Sequence, residues 1–198
     1  MKKNLKFIIG GLLMVILVVG YYYYVANYRK PAKDEDNTTK VSKVTELLMH
    51  DILEDYPPTP KEVVKFYSEL TVAMYTEEYT DEEFEKLVRK MRQLFDDELL
   101  LSNPEENHLS TLKHEIESRK NDGTVVSSYS TSTSTDVDYY TVKGFKFARL
   151  KVSFTLKNGT NIGLSKERFL LRKDKDGHWK IYGWQLIEDE NKEDGSEN

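Results

Sequence analysis

The sequence predicts an α+β protein, in which an N-terminal transmembrane helix precedes about three to four helices packed on a curved antiparallel sheet of about four strands. Three observations predict this fold class. Residues 7–26 contain no charged side chain, and apolar residues then recur at helical spacing from 41 to about 116. After Gly123 the pattern changes to the alternation of apolar and polar residues that is typical of strands.

The uncharged stretch at residues 7–26, FIIGGLLMVILVVGYYYYVA, has the length of a membrane span. At 1.5 Å per residue a helix of this length extends about 30 Å, which is the hydrocarbon thickness of a bilayer. Lys2, Lys3 and Lys6 precede the stretch, and four tyrosines at 21–24 close it. A basic flank and an aromatic belt are typical of a membrane helix. We therefore predict a single-pass transmembrane helix over residues 7–28 that contacts the lipid bilayer.

A cleaved signal peptide is the alternative to an anchor, with cleavage after Ala26. Bulky Tyr24 would then occupy a position that favours small residues, so the anchor is the better interpretation. Arg29, Lys30 and Lys33 partly balance the leading lysines. Because the N-terminal tail 1–6 is so short, we expect it in the cytoplasm and the C-terminal domain outside the plasma membrane.

The charge balance beyond the anchor is acidic. All 34 acidic residues but only 23 of the 29 basic ones follow Lys33, which leaves a formal charge of −11 on that part of the chain. Such a balance disfavours contacts with phosphate, so we predict no nucleic-acid partner. The chain contains no cysteine, and therefore no disulfide, thiolate nucleophile or lipoprotein acylation site. An exported protein without cysteine indicates a bacterial source.

The remainder of the chain divides by composition into a linker, a domain and a tail. Residues 29–40 are polar, and we predict that they form a linker. We assign residues 41–188 to the extracytoplasmic domain. Residues 189–198 are acidic and predicted to be disordered.

Three segments of the domain carry helix signals after a first predicted helix at residues 40–55. Thr59 and Pro60 have the residue types of an N-cap and a first helical position. Thr80, with Glu83 three residues later, begins a helix that the apolar spacing extends through Leu99. A weaker helix is predicted from 103 to 121.

Four strands are predicted after Gly123, at residues 124–135, 145–156, 162–171 and 178–188. Asn158-Gly159 and Asp176-Gly177 are hairpin signals. The face of the strand on which the apolar residues lie changes at three points: near Ala148, between Leu164 and Phe169, and at Gly183. We interpret each change as a β-bulge that bends the sheet.

Two segments resemble the nuclear transport factor 2-like superfamily: TPKEVVKFY at 59–67 and DGHWKIYGW at 176–184. The resemblance extends over about residues 59–188 and implies a cone-shaped fold, with helices in the concavity of the sheet. The layout of an anchor followed by such a domain resembles the bitopic assembly component of type IV secretion and conjugation systems, and also many uncharacterised Gram-positive membrane proteins.

From this layout we expect a non-catalytic domain that acts through protein contacts in an envelope or conjugation-type assembly, with itself or with envelope proteins as partners. One alternative is a pocket protein that binds or transforms a small apolar ligand. Another is a tether in which the helix at 40–55 only spaces the domain from the membrane.

The histidines are the first candidates for metal ligands, namely His50, His108, His114 and His178. His108 and His114 are six residues apart and so lie on different helix faces. Asp174 and Asp176 with Gly177 have some features of a calcium loop, but they lack its further ligands and are better interpreted as a turn. We therefore predict no metal and no cofactor.

The resemblance also suggests candidates for catalysis, because isomerases of that superfamily place an acid or His inside the cone beside a tyrosine. Tyr139 and Tyr140 near Asp136 and Asp138 are one such set, and Tyr67 is another. The strand phases expected to face inward contain only apolar residues and no acid. We therefore predict no catalytic residue and no enzyme.

Overall fold

The computed structural model of the chain describes residues 41–187. Within these residues five helices precede five strands, in an α+β arrangement. The helices are α1 (Lys43–Met49), α2 (Pro60–Thr76), α3 (Asp81–Arg92), α4 (Asp97–Ser102) and α5 (Glu105–Asn121). The strands are β1 (Thr124–Thr131), β2 (Asp138–Val142), β3 (Phe145–Asn158), β4 (Asn161–Lys173) and β5 (Trp179–Leu186).

The predicted transmembrane helix 7–28, the linker 29–40 and the acidic tail 189–198 lie outside the described residues. Between residues 41 and 187, none of the helices combines the length and the apolar character that crossing a bilayer requires.

The sheet is antiparallel, with β3 and β4 in its centre and β5 at one edge. Both β1 and β2 pair with β3, β1 along residues 152–158 and β2 along residues 145–149. A short 3₁₀ turn at Ser134–Asp136 separates the two. Strand β2 is additional to the four strands predicted from the sequence. Every one of its residues is exposed, so it shows no alternation of apolar and polar residues that would have predicted it.

Two of the three predicted phase changes are wrong. The β3–β4 pairing runs without a break from Phe147 to Asn158. Phe145 projects from the outer face, away from the helices, and Ile162 and Leu164 are 70% and 62% exposed. The change at Gly183 is confirmed, because the β4–β5 register shifts between Leu170 and Leu171.

The core forms where α2 packs on β1, β3 and β5, and where α1, α3 and α5 pack against α2. Both predicted N-caps are confirmed: Thr59 accepts a hydrogen bond from the Glu62 amide, and Thr80 forms a reciprocal capping box with Glu83. The side chains buried between the layers include Val63, Leu70, Met74, Leu87, Val88, Leu150, Phe169, Leu171 and Ile181. Burying this apolar surface is the main stabilisation of the domain.

The helix predicted through Leu99 ends at Arg92 instead. Leu94 and Asp96 form hydrogen bonds with the backbone of Ile181 on β5, at 2.8 and 2.9 Å. Because these bonds take backbone groups that a continuous helix would use, the chain leaves the helix there and restarts at α4. The Asp96 side chain accepts from the Glu98 amide and caps α4.

The first helix is also shorter than the predicted 40–55. It ends at Met49, and the ammonium of Lys90 on α3 donates hydrogen bonds to the carbonyl oxygens of Leu48 and His50. A lysine is a favourable partner for the free carbonyls at the end of a helix. This contact fixes α1 against α3.

Candidate ligand-binding cavity

A cavity of about 290 Å³ lies between the inner face of the sheet and helices α2, α3 and α5. One part of its wall is apolar or aromatic and another part is polar. The apolar and aromatic lining consists of Tyr67, Tyr75, Met91, Leu112, Val126, Phe154, Leu156 and Trp184. The polar lining consists of Thr71, Asn103, His108, Thr111, Glu115, Arg119, Ser165 and Glu167.

Two of the lining rings, those of Tyr67 and Trp184, pack on the fully buried ring of Phe169. The ring of Tyr67 lies 5.2 Å from that of Phe169 and 5.5 Å from that of Trp184, measured between centroids. Phe169 and Trp184 are cross-strand partners whose rings stack at 5.8 Å. The bulge in β5 places Trp184 on the inner face, where it extends the aromatic wall from α2 to β5.

Glu167 is the acidic group on the inner face of β4. Alternate residues of β4 face inward: Leu171 and Phe169 are buried in the core, and Glu167 and Ser165 line the cavity. Burial, together with the nearby charge of Glu115, raises the pKa of Glu167 to about 7 against the opposing effect of the Arg119 charge. No group between residues 41 and 187 donates a hydrogen bond to its carboxylate or pairs with it.

The α5 side of the cavity carries the other ionisable groups. Arg119 Nε donates to Glu115 Oε1 at 3.0 Å, one helical turn apart. Closer to the start of the helix, burial and the positive charge of Arg92 lower the pKa of His108. Its imidazole Nδ1 is 3.4 Å from Arg92 Nη1, and its ring packs 5.6 Å from Phe95. A neutral imidazole is therefore the favoured form of His108 near pH 7.

Of the catalytic candidates suggested by the sequence, Tyr67 alone lies at the cavity. Tyr139 and Tyr140 are on exposed β2, at 59% and 38% exposure. Asp138 pairs with Arg149 across the two strands at 3.0 Å, and Asp136 lies in the 3₁₀ turn. The tyrosine–aspartate set therefore does not form an internal site.

The other histidines lie apart from one another. His50 packs against Phe66 with ring centroids at 5.0 Å, and His178 packs against Tyr56 at 4.4 Å. The Asp174 side chain accepts hydrogen bonds from the amides of Asp176 and His178, which confirms the predicted turn. Across residues 41–187 no three acidic or histidine side chains are grouped as a metal site.

Glu167 is the functional candidate that sequence reasoning missed. The expectation that no acid faces inward is wrong, since it depended on assigning Ile162 and Leu164 to the inner face. The signal was present in the alternation itself: counting back in steps of two from Leu171 reaches Phe169, then Glu167. The exposed apolar residues Ile162 and Leu164, at the start of β4, indicated the opposite face and so led to the wrong assignment.

The outer face of the sheet carries a second group of side chains, here called the outer patch: Tyr140, Phe147, Arg149, Lys151, Arg168 and Tyr182. Tyr140 and Phe147 are cross-strand partners with rings stacked at 5.7 Å. The Phe147 ring meets that of Tyr182 edge-on at 5.9 Å, and the Arg149 guanidinium lies 6.0 Å from the Tyr140 ring. Strand alternation thus gathers cations and aromatic rings on one face of an acidic chain.

The fold and the cavity define residues 41–187 as an α+β domain with a small cavity between helices and sheet. The chain belongs to the family whose model is described as Domain of unknown function (DUF6715), which matches residues 1–184. The match includes the predicted membrane helix as well as the domain through Trp184. None of the curated proteins matches the chain.

Proposed function

We propose that this protein is a single-pass membrane protein whose extracytoplasmic domain binds a small, partly apolar molecule in the cavity. The observation that carries the proposal is Glu167, a partly buried carboxylate that receives no hydrogen bond from residues 41–187 and faces the apolar and aromatic part of the cavity wall. A carboxylate that is partly removed from water and receives no hydrogen bond is destabilised in its ionised form, and a bound ligand that donates a hydrogen bond to it offsets that cost.

The size of the cavity supports a small ligand. Sites for small molecules begin at about 300 Å³ and combine an apolar wall with a few convergent polar groups. The cavity here has about 290 Å³, with Glu167, Ser165 and Thr111 among its polar lining. The resemblance of 59–67 and 176–184 to the nuclear transport factor 2-like superfamily also supports the proposal, since the cone of that fold encloses a pocket.

Binding without chemical conversion is the form of the proposal that the contacts favour. A nucleophilic site needs a hydroxyl hydrogen-bonded to a base. In the part of the chain that the structure describes, neither Ser165 nor Thr111 makes such a bond with Glu167, Glu115 or His108. Glu167 remains able to accept a hydrogen bond or a positive charge from a ligand.

A cavity-filling variant tests this proposal in the full chain reconstituted in lipid nanodiscs. The probes are aromatic fragments of about nine to twelve non-hydrogen atoms, detected by saturation-transfer NMR, with empty nanodiscs as the blank. Ser165→Leu places a larger side chain on the cavity wall. The matched control is Ser130→Leu, at an exposed position of β1.

We expect fragments to bind the unchanged chain and Ser130→Leu alike, and to bind Ser165→Leu at least about tenfold more weakly, because the added side chain takes the volume of the ligand. Equal binding to both variants, or no fragment binding to the unchanged chain, would contradict a ligand-binding cavity.

Protein contact through the outer patch is a second candidate function, and it continues the expectation of an envelope or conjugation-type assembly. The favouring observation is that stacked Tyr140 and Phe147 lie beside Arg149, Lys151 and Arg168 on one exposed sheet face. Aromatic and arginine side chains are enriched in protein interfaces. Because the patch is cationic, the partner that fits it is a protein with an acidic surface.

A further inference from the structure

The ionisable groups on the cavity wall do not compensate one another. Glu115 and Arg119 form an ion pair at 3.0 Å, so their opposite charges largely cancel. Glu167 receives no hydrogen bond and forms no ion pair within residues 41–187, and Arg119, whose charge acts on it, is itself paired with Glu115. One carboxylate is therefore left without a counter-charge at the cavity.

The same wall presents aromatic rings beside this carboxylate. Glu167 is two residues before Phe169 on one face of β4, and Phe169 stacks on Trp184 of β5. Tyr67 completes the group, with its ring 5.5 Å from that of Trp184. The faces of tryptophan and tyrosine rings attract cations, and this attraction is stronger where water is excluded.

We infer that the ligand of the cavity is a small organic cation, with an apolar body of about one or two rings and a single protonated amine for which Glu167 is the counter-ion. This inference rests on the proposed binding function and adds the chemical class of the ligand. The apolar body would pack against Leu112, Phe154 and Leu156, and the ammonium would lie between Glu167 and the aromatic rings.

Other ligand classes fit the cavity less well. A neutral alcohol of the same shape could hydrogen-bond to Glu167 but would leave the excess charge in place. A carboxylate would meet the uncompensated charge of Glu167, and like charges at short range repel. The amine satisfies the charge and the hydrogen-bonding capacity together.

The inference also predicts how binding depends on pH. The titratable groups that line the cavity around Glu167 are Glu115, Arg119 and His108 on α5 and Tyr67 and Tyr75 on α2. With the pKa of Glu167 at about 7, its ionised fraction rises about 30-fold between pH 5.5 and pH 8. An aliphatic amine stays protonated over this range. The affinity for the amine should therefore rise by up to about 30-fold.

Three ligands with a common skeleton test the ligand class: phenethylamine, 2-phenylethanol and 3-phenylpropionate. Their binding to the full chain in nanodiscs is measured by titration calorimetry at pH 5.5 and pH 8. The variant is Glu167→Gln, and the matched control is Glu117→Gln, which removes the same charge from a residue of α5 that does not line the cavity.

We expect phenethylamine at pH 8 to bind at least about tenfold more tightly than the alcohol, and the carboxylate to bind most weakly. Glu167→Gln should abolish both the preference for the amine and its pH dependence while the alcohol still binds, and Glu117→Gln should change neither. Tighter binding of the alcohol or carboxylate would overturn the ligand class but leave a ligand-binding cavity in place. Failure of all three to bind would also overturn the inference, and the fragment experiment with Ser165→Leu then decides the cavity function separately.

Discussion

The guanidinium of Arg172 on β4 forms two hydrogen bonds with the carboxylate of Asp96, at 2.5 and 2.9 Å. Asp96 is 4% exposed and also caps α4. This pair joins the sheet to the segment where the chain leaves α3, and Arg172 extends it to Glu98 at 2.7 Å. The carboxylates raise the pKa of Arg172 above its usual value, so the charge on the arginine is constant.

Replacing Asp96 by alanine should destabilise the domain strongly. The change removes a buried ion pair and an N-cap together, and it leaves the Arg172 charge in a mostly buried place with Glu98 as its remaining acidic partner. We expect the free energy of unfolding to fall by about 2–4 kcal/mol. Chemical denaturation of the full chain in detergent, followed by the fluorescence of its tryptophans, measures the loss.

The exposed pair Asp138–Arg149 provides the control for that experiment. Asp138→Ala should cost less than about 1 kcal/mol, because a solvated ion pair contributes little. Arg172→Lys should also destabilise, since an ammonium cannot reproduce the two parallel hydrogen bonds of a guanidinium. A similar small effect for Asp96→Ala and Asp138→Ala would contradict a structural role for the Asp96 pair.

Glu167 should make the stability of the domain fall as pH rises. Its pKa is about 7 in the folded protein and 4.5 in the reference state, so the folded state holds the proton more tightly between these values. Its contribution to stability is therefore fully present below pH 4.5 and is lost as the pH rises to about 7. Denaturation midpoints measured from pH 4.5 to pH 8 test this.

The comparison that isolates this effect is between the unchanged chain and Glu167→Gln. Other carboxylates titrate in the same range in both proteins, so the difference between the two curves reports Glu167. We expect Glu167→Gln to gain stability relative to the unchanged chain from pH 5 to pH 7. Parallel curves would show that Glu167 titrates as a solvated carboxylate.

The orientation of the predicted membrane helix can be tested with single cysteines, because the chain contains none. Asn4→Cys lies in the predicted cytoplasmic tail, and Ser128→Cys lies at an exposed position of β1. A membrane-impermeant maleimide should label Ser128→Cys on intact cells and Asn4→Cys only after lysis. Labelling in the opposite order would contradict the orientation, and loss of residue 4 from the mature chain would indicate a cleaved signal peptide.

The outer patch should be needed for capture of a partner. We expect Arg168→Glu to abolish in-cell cross-linking to an acidic envelope protein, because it places a negative charge at the centre of a cationic face. Leu53→Ser is the control, as this side chain is 81% exposed outside the sheet. Raised salt should weaken the complex. Capture that persists in Arg168→Glu, or recovery of only a second copy of this chain, would contradict an acidic partner at this patch.

Several elements of the domain could be read from local sequence. The caps at Thr59 and Thr80 and the turns at Asn158-Gly159 and Asp176-Gly177 depend on neighbouring residues alone, and their Gly159 and Gly177 have positive φ values of 58° and 89°. The end of α3 at Arg92 could not be read in this way. It depends on two backbone hydrogen bonds with Ile181, which is more than 80 residues away: the Ile181 amide donates to the Leu94 carbonyl, and the Asp96 amide donates to the Ile181 carbonyl.

The sequence by itself determined the α+β class, the order of helices before strands and the capped starts of α2 and α3, because these follow from periodicity and capping within a few residues. The tertiary structure decided which face of each strand is inward. Exposed apolar residues such as Ile162 and Leu164 have the same hydropathy as buried ones, so only packing against α2 and α5 separates them. For this reason Glu167, the residue on which the proposed site depends, became recognisable only when the sheet and the helices were brought together.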